Sequence, residues 1–163
     1  MKLPDRNCYL AMDDAALSAC CTLDFYKATG PGGQHRNKTS TGVRLIFRPL
    51  ALQICDDSER SQHRNRAAAL RKLRLAIARL CREPLPEPCP PYRHLAPDNP
   101  EYPAMLALLP DALEMCGFDH KKAAEKLALS RTMFLRELAR ENDFWLDFAA
   151  RRAELGLPPL SRP

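Results

Sequence analysis

The sequence predicts an α+β fold, in which a small mixed or antiparallel sheet packs on a long basic helix and a helical segment follows a proline-rich linker. Three observations predict it. Apolar and polar residues alternate over residues 21–26 and 43–48, which is the period of half-buried strands. An apolar stripe at helical spacing runs from Leu70 to Leu80. Eight prolines within residues 83–103 then exclude helix or central strand there.

Three strands account for the predicted sheet. The apolar side chains of one face are Cys21, Leu23 and Phe25 in the first strand, Val43, Leu45 and Phe47 in the second, and Leu52 and Ile54 in the third. The pair Arg48-Pro49 ends the second strand and turns the chain into an antiparallel third one. Residues 1–14 read as short, polar and loosely ordered, with Asp13 able to cap a brief helix that follows.

The long helix is predicted to begin after a cap at Asp57 or Ser58 and to run to about Cys81. Rows of arginine suit phosphate recognition, because the guanidinium bonds phosphate in a bidentate manner. The abundance of cations favours an RNA-facing surface over a merely solvated face. These cations are Arg64, Arg66, Arg71, Lys72, Arg74, Arg79 and Arg82.

The prolines place a domain boundary in the linker. We expect a first domain at residues 1–82 with its core at 20–82, a semi-rigid linker at 83–103, and a helical segment at 104–157. The predicted helices of that segment cover residues 105–115, 121–128, 131–141 and 144–155, with Phe144, Trp145 and Phe148 in its core.

The run from Ala123 to Ala139 resembles the helix-turn-helix of bacterial DNA-binding regulators. Residues 101–163 have a net charge of −1, however, which is unfavourable for DNA affinity. The sequence therefore favours a small bundle that docks on a partner or on the first domain over a groove-binding motif.

Charge is distributed unevenly along the chain. The net charge is +5 overall, but residues 27–82 carry thirteen Lys/Arg against three Asp/Glu, a local +10. Such asymmetry indicates a polyanionic partner. The seven cysteines have no metal-ligand spacing, and together with the lack of a signal-like N-terminus they predict reduced thiols, no bound metal and a cytoplasmic protein. No apolar run is long enough for a membrane span, so no membrane partner is expected.

The most unusual stretch is the loop Gly30-Pro31-Gly32-Gly33-Gln34. Its glycines open the positive-φ region and let the backbone approach a ligand closely. A phosphate-loop interpretation fails, because no Gly-Lys-Ser/Thr follows four residues after a glycine.

This loop resembles the catalytic loop of the class I peptide-chain release factors and of their ribosome-rescue relatives. The matching residues are Gly30 to His35 with Asn37 to Thr39, and a second block from Glu59 to His63 with Asn65. The resemblance covers about residues 20–82. It departs from the family after the turn proline, where Leu50-Ala51 replaces the usual Thr-Gly, and this leaves the geometry of the turn open.

The resemblance implies hydrolysis of the peptidyl-tRNA ester in the ribosomal peptidyl-transferase centre. Gly32, Gly33 and Gln34 would be catalytic: the Gln34 backbone N–H would stabilise the departing 3′-oxygen or the tetrahedral intermediate, and its side chain would position water. The partners would be large-subunit ribosomal RNA and peptidyl-tRNA, with no cofactor and with the protein as a monomer. The residues expected to bind RNA are His35, Arg36, Asn37, Lys38, Arg44, Arg60, Gln62, Arg64 and Arg71.

Only about 20 residues precede the matching region, so a codon-reading domain is not expected, and the sequence predicts codon-independent release or ribosome rescue. Two alternatives stay open. One is a non-catalytic ribosome- or RNA-binding module that retains the loop, and the other is a nucleic-acid-binding regulator that uses the C-terminal helices.

Overall fold

The computed structural model describes residues 5–27 and 40–163, and this part of the chain has seven α-helices and three β-strands. It is an α+β protein, as the sequence predicts. In chain order the elements are α1 (Arg6–Ala11), α2 (Asp14–Ala19), β1 (Cys21–Tyr26), β2 (Gly42–Phe47), a 3-10 turn (Arg48–Leu50), β3 (Leu52–Asp56), α3 (Gln62–Leu80), α4 (Tyr102–Met115), α5 (His120–Lys126), α6 (Arg131–Ala139) and α7 (Asn142–Glu154).

The chain divides into two compact units. Residues 7–77 form the sheet unit, and Arg6 with residues 78–163 forms the helical unit. The linker and domain limits at residues 83 and 103 stay a prediction.

The sheet is antiparallel throughout, with β2 between β1 and β3. Val43, Leu45 and Phe47 are fully buried, which confirms the predicted inner face of β2. Phe25 was expected on the same face but is 43% exposed. It lies opposite Val43 near the end of β1, an edge strand with a neighbour on one side only. The alternating pattern therefore overestimates burial at this end of the sheet.

The turn between β2 and β3 contains a residue in the left-handed region. Ala51 has φ 51° and ψ 30°, and its N–H donates to the carbonyl oxygen of Arg48 at 3.4 Å. This is the position at which the release-factor pattern has glycine. A side chain in that region costs about 1–2 kcal/mol, so the turn forms with some strain in place of glycine.

The described part of the N-terminal region is helical from Arg6 to Ala11, and the expectation of loose order is wrong there. Leu10 in α1 is 4% exposed, and Arg6 is 1% exposed. The Arg6 guanidinium lies 2.7 Å from the carboxylate of Asp111, a partner 105 residues away that no local pattern reveals. The predicted cap of the next helix is confirmed, since Asp13 accepts a hydrogen bond from the Ala16 N–H at 2.7 Å.

Helix α3 begins later than the sequence predicts. Ser58 donates its hydroxyl to Asp56 at 2.7 Å instead of capping the helix. The first helical hydrogen bond runs from the Asn65 N–H to the Ser61 carbonyl oxygen at 3.0 Å. Further along, Leu70, Leu73 and Ile77 are buried, as the apolar stripe predicts.

The four predicted helices of the C-terminal segment are present as α4 to α7, with ends shifted by at most three residues. Phe144, Trp145 and Phe148 are buried in the helical unit, as predicted. Residues 83–101 contain no helix or strand, but Tyr92 is buried and its hydroxyl donates to Glu137 on α6 at 3.0 Å. Part of the proline-rich stretch is thus docked within the helical unit.

No helix in the part of the chain that the structure describes is both long enough and apolar enough to cross a membrane.

Candidate functional site

The glycine loop itself falls outside the described residues. This applies to seven of the predicted site residues: Gly32, Gly33, Gln34, His35, Arg36, Asn37 and Lys38. Their roles stay predictions. The structure does describe the stem from which this segment leaves the sheet and to which it returns.

The stem is the last pair of residues in the β1–β2 hairpin. Tyr26, the last residue of β1, pairs with Gly42, the first residue of β2, so the chain leaves and re-enters the sheet at the same end of the two strands. A Cβ atom on Gly42 would lie 2.8 Å from the Tyr26 ring, which is closer than packed atoms tolerate. Glycine at position 42 therefore lets the aromatic ring lie flat against the backbone of the returning strand.

Two amides from α3 hold the returning end of the segment. Gln62 donates from Nε2 to the Ser40 carbonyl oxygen at 3.1 Å, and Asn65 donates from Nδ2 to the Thr41 carbonyl oxygen at 2.8 Å. Residues spaced by three lie on one face of a helix, so both side chains reach the same stretch of backbone. The structure thus gives Gln62, predicted to bind RNA, an internal partner as well.

Asn65 is fully buried and uses its whole amide. Besides the bond to Thr41, its Nδ2 donates to the Glu59 carbonyl oxygen at 2.9 Å, and its Oδ1 accepts from the Glu59 N–H at 2.8 Å. It joins three segments: α3, the residues that precede α3, and the end of the loop. The sequence placed Asn65 in the second motif but gave it no role. Its spacing from Gln62 was the signal that both belong to one helix face.

The cations of α3 fall into two groups. Four of them form hydrogen bonds or ion pairs with other side chains of the protein. These four cations therefore do not contribute to a continuous RNA-facing surface of the kind that the sequence favoured. Arg66 donates to Ser18 at 2.9 Å, Arg74 to Asp14 at 2.7 Å, Lys72 lies 2.7 Å from Asp56, and Arg79 lies 2.7 Å from Asp147. These contacts hold the fold together.

Arg64 and Arg71 form the second group. Both are exposed, and their spacing of seven residues puts them on one face of α3. Within the described residues Arg64 has only a distant carboxylate, Glu59 at 3.8 Å, and Arg71 has none within 4 Å. Arg60 is also exposed, just before the helix.

Arg44 extends this set onto the sheet. It lies on β2, 3.5 Å from Asp24 of β1, with its guanidinium 5.4 Å from the centre of the Tyr26 ring. Both contacts are partly exposed, so the charge remains accessible to an external anion. Arg44 and the stem are thus direct neighbours.

A buried carboxylate, that of Asp56, holds the last residue of β3 in place. Asp56 is 3% exposed, and burial alone would raise its pKa. Hydrogen bonds from Lys72 and Ser58 outweigh burial and lower the pKa below the ordinary value of 3.8. This carboxylate stays ionised and paired at neutral pH, and its role is to tie β3 to α3 rather than to move protons.

A second candidate location is a cavity of about 460 Å³ in the helical unit. Its charged lining balances three arginines against three carboxylates, with Arg79 bonded to Asp147 and Arg151 bonded to Glu154. Within the described residues no group of three or more His, Cys, Asp or Glu side chains is placed to hold a metal ion. Four of the six charged lining residues pair with one another, so we take the loop and its stem as the stronger candidate.

The stem and both motifs lie within a part of the chain that is similar to known proteins. Residues 17–87 match the family model described as the RF-1 domain. Peptide chain release factor 1 of Acetivibrio thermocellus is 41% identical over 61 residues, which are 37% of this chain and 17% of that protein. Peptide chain release factor 2 of Paramagnetospirillum magneticum is 48% identical over 57 residues, 35% of this chain and 15% of that protein. Residues 17–87 are thus similar to the RF-1 domain of peptide chain release factors.

The release-factor match covers the whole described sheet, α3 and the loop between β1 and β2. The chain spans only about a sixth of the length of these relatives. Helices α4 to α7 lie beyond the matched residues.

Proposed function

We propose that this chain hydrolyses the ester between a nascent peptide and tRNA in the ribosomal peptidyl-transferase centre, independently of a codon. The observation that carries the proposal is the release-factor match over residues 17–87, because this span includes Gly32-Gly33-Gln34 and the second motif. The relatives that share it are named peptide chain release factors.

The chemistry needs a water molecule in line with the ester carbonyl and a donor for the negative charge that develops. Water adds to the carbonyl carbon, the bond to the tRNA 3′-oxygen breaks, and a proton passes to that oxygen. The chain has no Asp or Glu from residue 28 to residue 54, so the loop supplies no carboxylate base. In this proposal the Gln34 backbone N–H stabilises the oxyanion or the leaving 3′-oxygen, and the Gln34 side chain positions the water.

Gln62 and Asn65 are positioning residues in this proposal. By holding Ser40 and Thr41, they fix the backbone two to three residues after Lys38. The Tyr26–Gly42 pair fixes the other end. A loop with both ends fixed loses less conformational entropy when its tip enters a pocket, which favours a reactive pose.

In this proposal ribosomal RNA is the polyanionic partner that the excess of cations in residues 27–82 predicts. Arg44, Arg60, Arg64 and Arg71 are exposed or half-exposed around the stem and α3, and they would contact phosphates together with Gln62. The loop cations Arg36 and Lys38, with His35 and Asn37, would add contacts nearer the tip.

We propose that release is independent of a codon, as in ribosome rescue, and that the protein acts in the cytoplasm as a monomer. The similarity to the relatives covers 17% or less of each of them.

The test is release of labelled peptide from ribosomes stalled on a truncated mRNA. The wild-type protein should free the peptide. Gly33→Ala, which hinders the backbone pose that aims the Gln34 N–H, should slow release by about 10²–10³-fold, the effect of losing one oxyanion donor. Gln34→Ala should also slow release, because it removes the side chain that positions the water. Ribosome binding should change little. Gln53→Ala, an exposed glutamine on β3, is the matched control and should release at the wild-type rate.

Two results would contradict the proposal. If the wild type frees no peptide from truncated-mRNA, stop-paused or split ribosomes, the hydrolase assignment fails. Ribosome binding without any release would instead support the non-catalytic binding module, and equal release by the wild type and Gln34→Ala would refute the catalytic role of the Gln34 side chain. A strict requirement for a stop codon in the same assay would refute codon independence alone.

A further inference from the structure

Helices α5 and α6 form a helix-turn-helix in the described structure. Four residues, 127–130, separate the two helices. Ala128 has φ 55°, and the following Leu129 N–H donates to the Ala124 carbonyl oxygen at 2.9 Å, which closes α5. The Ser130 hydroxyl then accepts a hydrogen bond from the Met133 N–H at 3.2 Å and caps α6. Short turns of this kind define the motif.

Each helix buries its apolar face. In α5 the buried residues include Ala123 and Ala124, followed by Leu127 in the turn, and in α6 they include Phe134 and Leu138. The opposite faces are exposed and basic. The exposed cations, hereafter the α5–α6 basic face, are Lys121, Lys122, Lys126, Arg131 and Arg136.

The cations of this face are not paired with carboxylates in the part of the chain that the structure describes. Within the described residues none of the five lies within 4 Å of a carboxylate. Elsewhere in the helical unit the pattern is the reverse: Arg140 pairs with Glu137 at 2.9 Å, and Arg151 pairs with Glu154 at 2.8 Å. Unpaired charge is thus concentrated on α5 and α6.

The overall charge of the C-terminal segment conceals this concentration. Residues 119–136 carry five cations against Asp119 and Glu125, a net +3. The segment reaches −1 through carboxylates elsewhere, of which Asp111 and Glu137 are buried in ion pairs. The objection to nucleic-acid binding that the net charge raised therefore does not apply to this surface.

Burial and the positive charges around this face lower the pKa of a neighbouring histidine. His120, the first residue of α5, is 8% exposed, and burial lowers its pKa below 6.5. The charges of Arg152, Arg131 and Lys121 lower it further, against the opposing carboxylate of Asp119. His120 is thus driven towards its neutral form, as expected beside a positively charged surface.

We propose that the α5–α6 basic face binds the phosphate backbone of double-stranded nucleic acid. In a helix-turn-helix the second helix approaches a groove with its N-terminal residues, while the first crosses the backbone. Arg131, Thr132 and Arg136 on α6 would face the groove. Lys121, Lys122 and Lys126 would contact the phosphates on either side. The residues of this surface are not those of the loop or its stem, and the proposal does not depend on ester hydrolysis.

The test is binding of the full chain to labelled 20-base-pair DNA and RNA duplexes of one sequence, followed by fluorescence anisotropy at several salt concentrations. The test variant is Lys126→Gln/Arg131→Gln. The matched control is Arg93→Gln/Arg162→Gln, which removes two exposed cations from the same unit outside the basic face. Both variants have the same net charge, and any contribution of the sheet unit is common to both.

We expect the test variant to reduce the slope of log affinity against log salt by about two, because each phosphate contact contributes about one. The control should keep the wild-type slope, and circular dichroism should show both variants folded. Tighter binding to DNA would mean that α6 enters a major groove, because the A-form groove is too narrow for a helix. Comparable binding to both duplexes would mean backbone contacts alone.

Either preference supports the proposal. Identical slopes for the two double variants would overturn it, and so would failure of the wild type to bind either duplex. The outcome does not bear on peptide release, because no ribosome is present in the assay.

Discussion

Replacement of Asn65 by alanine tests the stem geometry most directly. The substitution removes three hydrogen bonds: two that Nδ2 donates to the carbonyl oxygens of Glu59 and Thr41, and one that Oδ1 accepts from the Glu59 N–H. Each such bond contributes about 0.5–1.5 kcal/mol net, and buried groups left unpaired add to the loss. Because Asn65 is fully buried, water does not readily replace the amide. We expect the free energy of unfolding to fall by about 2–4 kcal/mol.

Urea denaturation followed by circular dichroism measures this loss. Gln62→Ala is the matched control, because Gln62 holds the neighbouring carbonyl oxygen through one exposed bond and should cost less than about 1 kcal/mol. Under conditions in which both variants are folded, Asn65→Ala should also release peptide more slowly, since Thr41 is then free to move. A change in unfolding free energy below about 0.5 kcal/mol for Asn65→Ala would refute the anchoring role.

Two further predictions concern the turn after β2 and the buried carboxylate of α6. Ala51→Gly should raise the unfolding free energy by up to about 1 kcal/mol, because glycine adopts the left-handed conformation without steric cost. The greater flexibility of glycine in the unfolded chain offsets part of this gain. A lower melting temperature for the variant would contradict this prediction. Burial would raise the pKa of Glu137, but hydrogen bonds from Arg140, His94 and Tyr92 outweigh it and lower the pKa below 4.5. The stabilisation that these bonds give is therefore present above pH 4.5 and lost as the pH falls through the folded-state pKa, and Glu137→Gln should flatten the dependence of unfolding free energy on pH below that value. An unchanged acid profile in this variant would contradict the assignment.

The secondary structure was largely predictable, because its signals are local. Alternation located the strands, and the apolar stripe located α3. Helix ends were less predictable wherever a capping residue has another use: Ser58 could cap a helix, but it bonds the buried Asp56 instead. Helix α1 was missed because its first residue, Arg6, has a partner that is not local in sequence. The Arg6 guanidinium bonds a carboxylate 105 residues away.

The site was predictable as a pair of motifs but not as a set of contacts. A sequence shows how many cations a helix carries, but not which of them the fold consumes. Arg66 and Arg74 were among the cations that favoured an RNA-facing surface, and their partners lie 48 and 60 residues distant along the chain. The same limitation hid the role of Asn65, because the carbonyl oxygen of Thr41 becomes its partner only after the sheet and α3 have come together.

The docking of Tyr92 against Glu137 has a practical consequence for dissecting the protein. A proline-rich stretch is an obvious place to cut a gene in two or to look for protease sensitivity. Here a recombinant fragment that starts at residue 104 would leave Glu137 in a dry environment without Tyr92 and His94, its partners from the proline-rich stretch. A shortened version of the helical unit should therefore retain Tyr92 and His94, and trypsin should cleave slowly after Arg93 in the intact chain.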